Sequence, residues 1–304
     1  MIKDESISAI VVTFHPTTEH LQNLAKIRAQ VDLLIVVDNG SDEHDLASLR
    51  RASRDLPFTL IENGENLGIA TALNLGVRKA QQRGCRWVAL FDQDSAITEG
   101  FIAAMMADFE TYSRVKKIMQ IIPRYRDPET GIERPVSQFD DGGAFLTITS
   151  GSLFAVEAFE ECGLFQENLF IYCVDDDYSL RIRKNGFFIG VSRTAVLLHR
   201  SGHPSSRRLF GKTVSTQNYR PEVRYYYARN KVWILRRYGR TFPRLIFPTL
   251  RQFVTTPLKI LFMEDASWEK IKLFTYGLVD GVAGRMGPLR IGAAIQKAGA
   301  FRPG

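Results

Sequence analysis

The first hundred residues predict an α/β fold built on a doubly wound, mostly parallel sheet, and two observations carry that expectation. Short β-rich apolar runs alternate with segments of helical spacing, and polar residues collect where the runs end. Residues 7–14 are apolar and β-rich, 18–29 carry Leu21, Leu24 and Ile27 at helical spacing, and 33–37 form a second buried run. Residues 42–54 read as a helix and 58–61 as a strand. Residues 70–83 place Leu73, Val77 and Ala80 on one helical face, and 87–91 supply a fourth strand. This βαβαβαβ order implies parallel strands, with ligands expected at their carboxyl ends.

Three of those ends are polar: Thr13-Phe14-His15-Pro16, Asp38-Asn39-Gly40-Ser41 and Asp92-Gln93-Asp94. Three such ends on one edge of a sheet predict a site. Asp92 and Asp94 follow the buried run Val88-Ala89-Leu90-Phe91, and hard oxygen ligands at that spacing suit Mg²⁺ or Mn²⁺ carrying a phosphorylated substrate. A strand followed by an acidic turn is the plainer alternative.

After residues 118–123 the alternation breaks. Residues 124–141 are polar, carry Pro128, Gly131 and Pro135, and read as a loop or hairpin over the site. Thr149-Ser150-Gly151-Ser152 is a small-residue turn, 175–184 a helix opened by Asp175-Asp176-Asp177, and 187–199 a final strand ending at His199. From about residue 220 a basic, aromatic helix begins. Pro243, Pro248 and Pro257 then predict two short helices across 242–263, and a further apolar segment covers 268–282.

Composition narrows the classes. The 304 residues are 45% hydrophobic and 24% charged, as expected of a globular chain rather than a disordered one. The chain passes from Met1-Ile2-Lys3-Asp4-Glu5 straight into the first strand, so no signal peptide is expected, and no apolar run reaches the roughly 18 residues that span a bilayer. Three cysteines (Cys85, Cys162, Cys173), unpaired in spacing, fit buried free thiols in a reducing cytosol. The net charge of +7 is uneven: residues 200–304 hold 20 Lys+Arg against 5 Asp+Glu, and residues 1–199 hold 20 against 28. The basic segment predicts an anionic partner or a solvated basic surface. No nucleic-acid recognition motif accompanies it.

Val11-Val12-Thr13-Phe14, Val36-Val37-Asp38-Asn39-Gly40-Ser41, Asn66-Leu67-Gly68, Asp92-Gln93-Asp94 and the block 172–186 together resemble the inverting family 2 glycosyltransferases of GT-A fold. Within that family the chain is most similar to bacterial rhamnosyltransferases of O-antigen and related surface polysaccharides, and the resemblance covers residues 6 to about 240. It implies a GT-A catalytic domain over 1–220, with a nucleotide-sugar half at 1–123 and an acceptor half at 124–220. Residues 221–304 would then be a helical extension, available for a membrane surface or a homo-oligomer interface. The implied activity is metal-dependent transfer of a sugar, L-rhamnose from dTDP-L-rhamnose, to a glycan or polyprenyl-diphosphate-linked acceptor. That places the chain in the cytoplasm, peripheral on the inner membrane face.

The resemblance also distributes roles. Asp38 would accept a hydrogen bond from the uracil or thymine ring, with an Asx-turn as the alternative, and Thr13 would line the same pocket. Asn66 and Gly68 would admit ribose or phosphate at a helix start. Asp94 would ligate the metal, Asp92 would contact the ribose or the metal's water shell, and His199 would add a metal contact. Asp175 would be the general base with Asp176 as its rival, while Ser150, Gly151 and Asp177 would form the acceptor side. Arg229-Asn230, within the Tyr-rich helix, recurs in the resembled enzymes without an assignable chemistry. Two other classes compete. One is a haloacid-dehalogenase-type phosphatase using Asp92 as nucleophile, and the other is a non-catalytic nucleotide-sugar-binding or membrane scaffold.

Overall fold

Burial follows the alternating sequence pattern closely. The computed structural model describes residues 6–128, 130–198, 205–209, 212–216 and 218–289. The chain divides into two compact units. The first comprises the described residues of 1–167 and 175–200, and the second comprises 168–174 and those from 201 onward.

In the first unit, β1 (Ile7–Thr13), β2 (Leu33–Asp38), β3 (Thr59–Glu62) and β4 (Trp87–Asp92) run parallel in the order β3-β2-β1-β4. Strand β1 is central, and Ala9, Ile10 and Val11 are inaccessible to solvent, as a strand covered on both faces requires. The crossovers are α1 (Thr18–Arg28), α2 (Glu43–Asp55) and α3 (Ile69–Gln82). Asp42 caps α2 by accepting from the Asp45 N–H, which satisfies a donor the first turn would otherwise leave open. Helix α3 lies directly over β1: a Cβ added at Gly76 would sit 2.4 Å from the Ile10 side chain.

Of the rest of the sheet, the runs at 118–123 and 187–199 were legible as strands, while 96–97 and 153–155 were not. The strands β5 (Ala96–Ile97), β6 (Ile118–Arg126), β7 (Leu153–Ala155) and β8 (Phe188–Leu198) extend it to β3-β2-β1-β4-β7-β6-β8-β5. Strand β7 pairs antiparallel with both β4 and β6, so the mixed half of the sheet begins there. Helix α4 (Phe101–Ser113), unmarked by the sequence reading, buries Phe101, Ile102, Met105 and Phe109. Pro123 does not end β6. The register shifts between Ile122 and Arg124, and that irregularity absorbs the residue with no N–H to give the ladder. Helices α5 (Glu157–Glu161) and α6 (Val174–Lys184) complete the unit's course.

The second unit holds the hairpin β9 (Ser205–Leu209) and β10 (Lys212–Thr216), then α7 (Pro221–Tyr238), α8 (Ile246–Met263) and α9 (Ser267–Ala283). The expectation of two short helices across 242–263 is corrected. A 3₁₀ turn takes Pro243–Leu245, Pro248 falls in the first turn of α8, where no intrahelical N–H partner exists, and α8 continues through Pro257. Burial of Thr249 before that proline and of Ile260 and Met263 after it carries the helix across the missing bond. Gly277 and Gly281 let α9 meet α7 backbone to backbone: added Cβ atoms would lie 2.2 Å from the Tyr225 carbonyl oxygen and 2.8 Å from that of Arg229. Glu264, fully buried, pairs with Arg224 and lies 3.2 Å from the Lys270 ammonium.

Candidate active site

The three polar strand ends are neighbours because β2, β1 and β4 are neighbours. Thr13 stands opposite Asp38, and Val12 opposite Asp92. Gln93 stitches two of the ends together: its amide oxygen accepts from the Phe14 N–H at 2.9 Å and its amide nitrogen donates to the Phe14 carbonyl at 3.2 Å. Sequence reasoning passed over Gln93 as the spacer of the acidic pair. A middle residue able both to donate and to accept was the available signal.

Asp38 is wholly buried, and its carboxylate is filled from within. It accepts from the Thr13 hydroxyl at 3.2 Å, from the Gly40 and Ser41 N–H groups at 3.2 and 2.9 Å, and from the Ser41 hydroxyl. Four donors match a carboxylate's acceptor capacity. These bonds describe the turn-building alternative, and a nucleobase would have to replace one of the hydroxyls. The turn packs tightly: Gly40 has φ +93°, and a Cβ there would sit 2.4 Å from the Glu65 carbonyl carbon. The Asn39 side chain donates to the Asn66 side-chain oxygen (3.1 Å) and accepts from the Leu67 N–H (3.1 Å), and the Asn66 oxygen also takes the Gly68 N–H (3.0 Å). Asn66 and Gly68 therefore open α3 as predicted from sequence, with the Asn66 side-chain oxygen occupied by the protein.

Asp92 and Asp94 share the end of β4. Asp92 is half-buried and Asp94 exposed. Loss of hydration, reinforced by the charge of Asp94, pushes the Asp92 carboxyl up to about 7, against the opposing effect of a hydrogen bond from Ser150. The charge of Asp94 also reaches His20 on α1, whose pKa burial lowers and Asp94 raises. A half-buried carboxyl held toward its neutral form beside a second carboxylate is what a divalent cation would return to the charged state. The pair of hard oxygen donors fits Mg²⁺ or Mn²⁺.

Ser150 sits beneath this pair, 1% exposed. Its hydroxyl accepts from the Asp92 N–H at 3.3 Å and lies 2.6 Å from the Ser95 hydroxyl. The Gly151 N–H donates to the Leu90 carbonyl at 2.7 Å, and with φ +76° and Pro123 and Leu197 each 2.9 Å from an added Cβ, that position admits only glycine without rearrangement. The Tyr125 phenol donates to the Ser150 carbonyl at 3.2 Å. Burial raises the Tyr125 pKa, and the charges of Asp175 and Asp92 act in the same direction.

Helix α6 opens with the triple aspartate. The Asp175 side chain accepts from the Asp176 N–H at 3.0 Å, and its carbonyl accepts from the Ser179 hydroxyl at 2.9 Å. Ser179 lies 2.8 Å from the Thr147 hydroxyl, so the start of α6 is tied to the segment carrying Ser150. Asp177 turns the other way: it is 1% exposed and paired with Arg181 one turn on, at 2.8 Å. That buried pair occupies its carboxylate. His199 lies outside the described residues. Among the described residues, His15, Asp42 and Asp45 offer ligand atoms within 4.8 Å of one another, a grouping the sequence did not single out. The His15 ring lies 2.8 Å from Asp45, and Asp42 is engaged in capping α2.

The glycosyl transferase family 2 model matches residues 8–162, half of the chain and all three strand ends. The chain belongs to glycosyl transferase family 2. It is therefore a glycosyltransferase, and the phosphatase alternative for Asp92 falls away. A curated relative, the dTDP-rhamnosyl transferase RfbF of Shigella flexneri, is 26% identical over 309 residues, covering 95% of this chain and 100% of that protein. Among solved structures, S. aureus TarS superposes with a TM-score of 0.61 at 16% identity, over 92% of this chain; this chain spans about half (49%) of that one. TarS 1-349 in complex with UDP-GlcNAc gives 0.59 at 18% identity, covering 91% and 80% of the two chains. The mannosyltransferase PcManGT from Pyrobaculum calidifontis, in complex with GDP-Man and Mn²⁺, gives 0.54 at 17%, covering 94% and 77%. These likenesses establish a GT-A-type fold with C-terminal helices.

Proposed function

We propose that the chain is an inverting rhamnosyltransferase that takes L-rhamnose from dTDP-L-rhamnose and delivers it to a surface-polysaccharide or lipid-linked glycan acceptor. The observation that carries this is the Asp92 and Asp94 pair at the end of β4, beside β1 and over the buried Ser150, in a family 2 chain similar over 95% of its length to a dTDP-rhamnosyl transferase. Thr13, Asp38 and the Asn66–Gly68 turn receive the nucleoside, the base taking the place of one hydroxyl donor at Asp38. Asp94 and Asp92 would hold Mg²⁺ or Mn²⁺, and the fold neighbour in complex with GDP-Man and Mn²⁺ supports the use of a divalent cation. A cation held there would supply charge neutralisation for the departing diphosphate. Asp175 accepts the proton of the acceptor hydroxyl. The new C–O bond forms at the anomeric carbon on the face opposite the leaving group, and the bond to the diphosphate oxygen breaks.

The test is a thermal-shift panel of dTDP-, UDP- and GDP-sugars with and without Mn²⁺. The largest stabilisation is expected from dTDP-L-rhamnose with Mn²⁺, and a preference for another nucleotide replaces the donor while leaving the family standing.

Attachment to a membrane surface has its own support. Phe247 (75% exposed), Leu250, Val254 (64%), Leu258 and Phe262 (65%) form a stripe along α8, and Trp268 (79%) starts α9. Residues 240–263 contain Arg240, Arg244, Arg251 and Lys259 and no acidic residue. An apolar stripe edged by cations fits an anionic lipid surface, whereas two copies packed by this face would oppose like charges. Among the described residues no helix is long and apolar enough to cross a membrane, so the contact is interfacial. The chain is expected to sediment with phosphatidylglycerol-containing vesicles and not with neutral ones. Phe247→Glu with Val254→Glu should release it, and undiminished binding by that variant refutes the contact.

A further inference from the structure

Arg229 and Asn230 are among the most completely buried polar side chains of the protein, at 0% exposure, and catalysis by Asp92, Asp94 and Asp175 gives neither a task. Both are spent on one short segment. The Asn230 amide nitrogen shares its two hydrogens among three carbonyls of one turn, Leu169 at 3.0 Å, Ile171 at 2.8 Å and Tyr172 at 2.8 Å. The Arg229 guanidinium donates to the carbonyls of Leu169 at 3.0 Å, Asn168 at 3.3 Å and Gly287, and through Nε to the Asn230 side-chain oxygen at 2.9 Å. That last bond fixes the orientation of the Asn230 amide, so the two residues act as one clamp. The rings of Tyr225 and Tyr226 face the guanidinium at 5.4 and 4.9 Å, and Phe170 stacks on Tyr226 at 5.1 Å.

The clamped segment is unusual in its backbone. Phe170, Tyr172 and Cys173 have φ of +65°, +68° and +59°, three left-handed residues in four, none of them glycine. Such conformations persist only where the surroundings over-determine them, and they gather at functional sites. Here the carbonyls of 169, 171 and 172 are the groups being held. Val174 follows and starts α6, and Asp175 is the next residue.

We infer that Arg229 and Asn230 are positioning residues that hold the left-handed 169–173 turn and thereby set where Asp175 stands at the start of α6. The proposal rests on Asp175 as the base. Without the clamp the turn relaxes to right-handed backbone, and the first residues of α6 lose their fixed starting point, although donor binding at the strand ends is untouched.

Asn230→Ala removes the amide donors, and Arg229→Lys keeps charge but loses the fork. Hydrogen exchange in full-length protein reads the clamp directly. In Asn230→Ala, peptides covering 168–178 should exchange at least tenfold faster, with those over β1, β2 and β4 unchanged. Equal protection at 168–178 overturns the clamp. Release of dTDP from dTDP-L-rhamnose, with water as acceptor, reads positioning: kcat should fall at least 30-fold while KM for the donor stays within threefold. A variant that exchanges faster but turns over normally overturns the positioning role.

Asp175→Asn separates the two claims. If it stops turnover and adding Asn230→Ala costs nothing further, the clamp acts through Asp175, whereas independent, multiplying losses mean a structural role only. If Asp175→Asn turns over normally, the base assignment fails, and the exchange result alone then decides the clamp.

Discussion

Asp92→Asn should stabilise the metal-free protein, and increasingly so as pH rises. Burial and Asp94 push the Asp92 carboxyl up to about 7 from an ordinary 3.8. The folded chain therefore keeps a proton that the unfolded chain gives up, and stability present below the ordinary value is lost as pH climbs toward 7. One proton is worth about 1.36 kcal/mol per pH unit, so the two units between pH 5 and 7 are worth at most about 2.7 kcal/mol. The carboxyl keeps a solvent edge, which lowers the expectation to about 2 kcal/mol. Asparagine has the same shape and nothing to ionise. Urea unfolding in EDTA at pH 5 and pH 8 should show its advantage over wild type growing by about that amount. Saturating Mn²⁺ at pH 8 should reverse the ranking, since the cation restores a use for the charge. A stability difference that does not change with pH would refute the reasoning.

Other outcomes follow from neighbouring geometry. Gly40→Ala forces a Cβ against the backbone of Glu65 and Asn66 at φ +93°, and should cost about 3 kcal/mol together with donor binding. Gly64→Ala, also left-handed but facing open space, should cost only about 1 kcal/mol, so thermal unfolding of the two separates crowding from φ alone. Glu264→Gln leaves Arg224 and Lys270 buried without their anion and should cost about 3 kcal/mol by denaturation, with Arg224→Met in the same chain recovering part of it. Mn²⁺ affinity, measured by calorimetry, should rise with pH up to about 7 as Asp92 loses its proton, and then level off.

What could be read from the sequence was local. The four parallel strands and their helices follow from periodicity, and the polar ends of β1, β2 and β4 converge because adjacent parallel strands must end on one edge. Strand β7 and helix α4 were not legible, since three residues between β4 and β6 are placed by tertiary pairing and not by pattern. Pro257 misled for a related reason: propensity marks a break, and burial on either side overrides it. At the site, residue type singled out Asp92 and the family resemblance singled out Ser150 and Asp175, but neither could distinguish an open carboxylate from one engaged within the fold. Asp177 is paired with Arg181, whereas Asp38 is filled by Thr13, Gly40 and Ser41 through bonds of which a nucleobase would displace one. The task of Asn230 was invisible because its partners are carbonyls some 60 residues earlier, which carry no sequence signature.

The central claim is that Asp94, with Asp92, holds the cation on the nucleoside diphosphate at the end of β4. It is tested most directly by titrating dTDP-L-rhamnose calorimetrically into wild type and Asp94→Ala, each with Mn²⁺ and with EDTA. Wild type should bind at least tenfold more tightly with Mn²⁺, and Asp94→Ala should bind equally weakly in both conditions. A full Mn²⁺-dependent gain in Asp94→Ala would contradict the account.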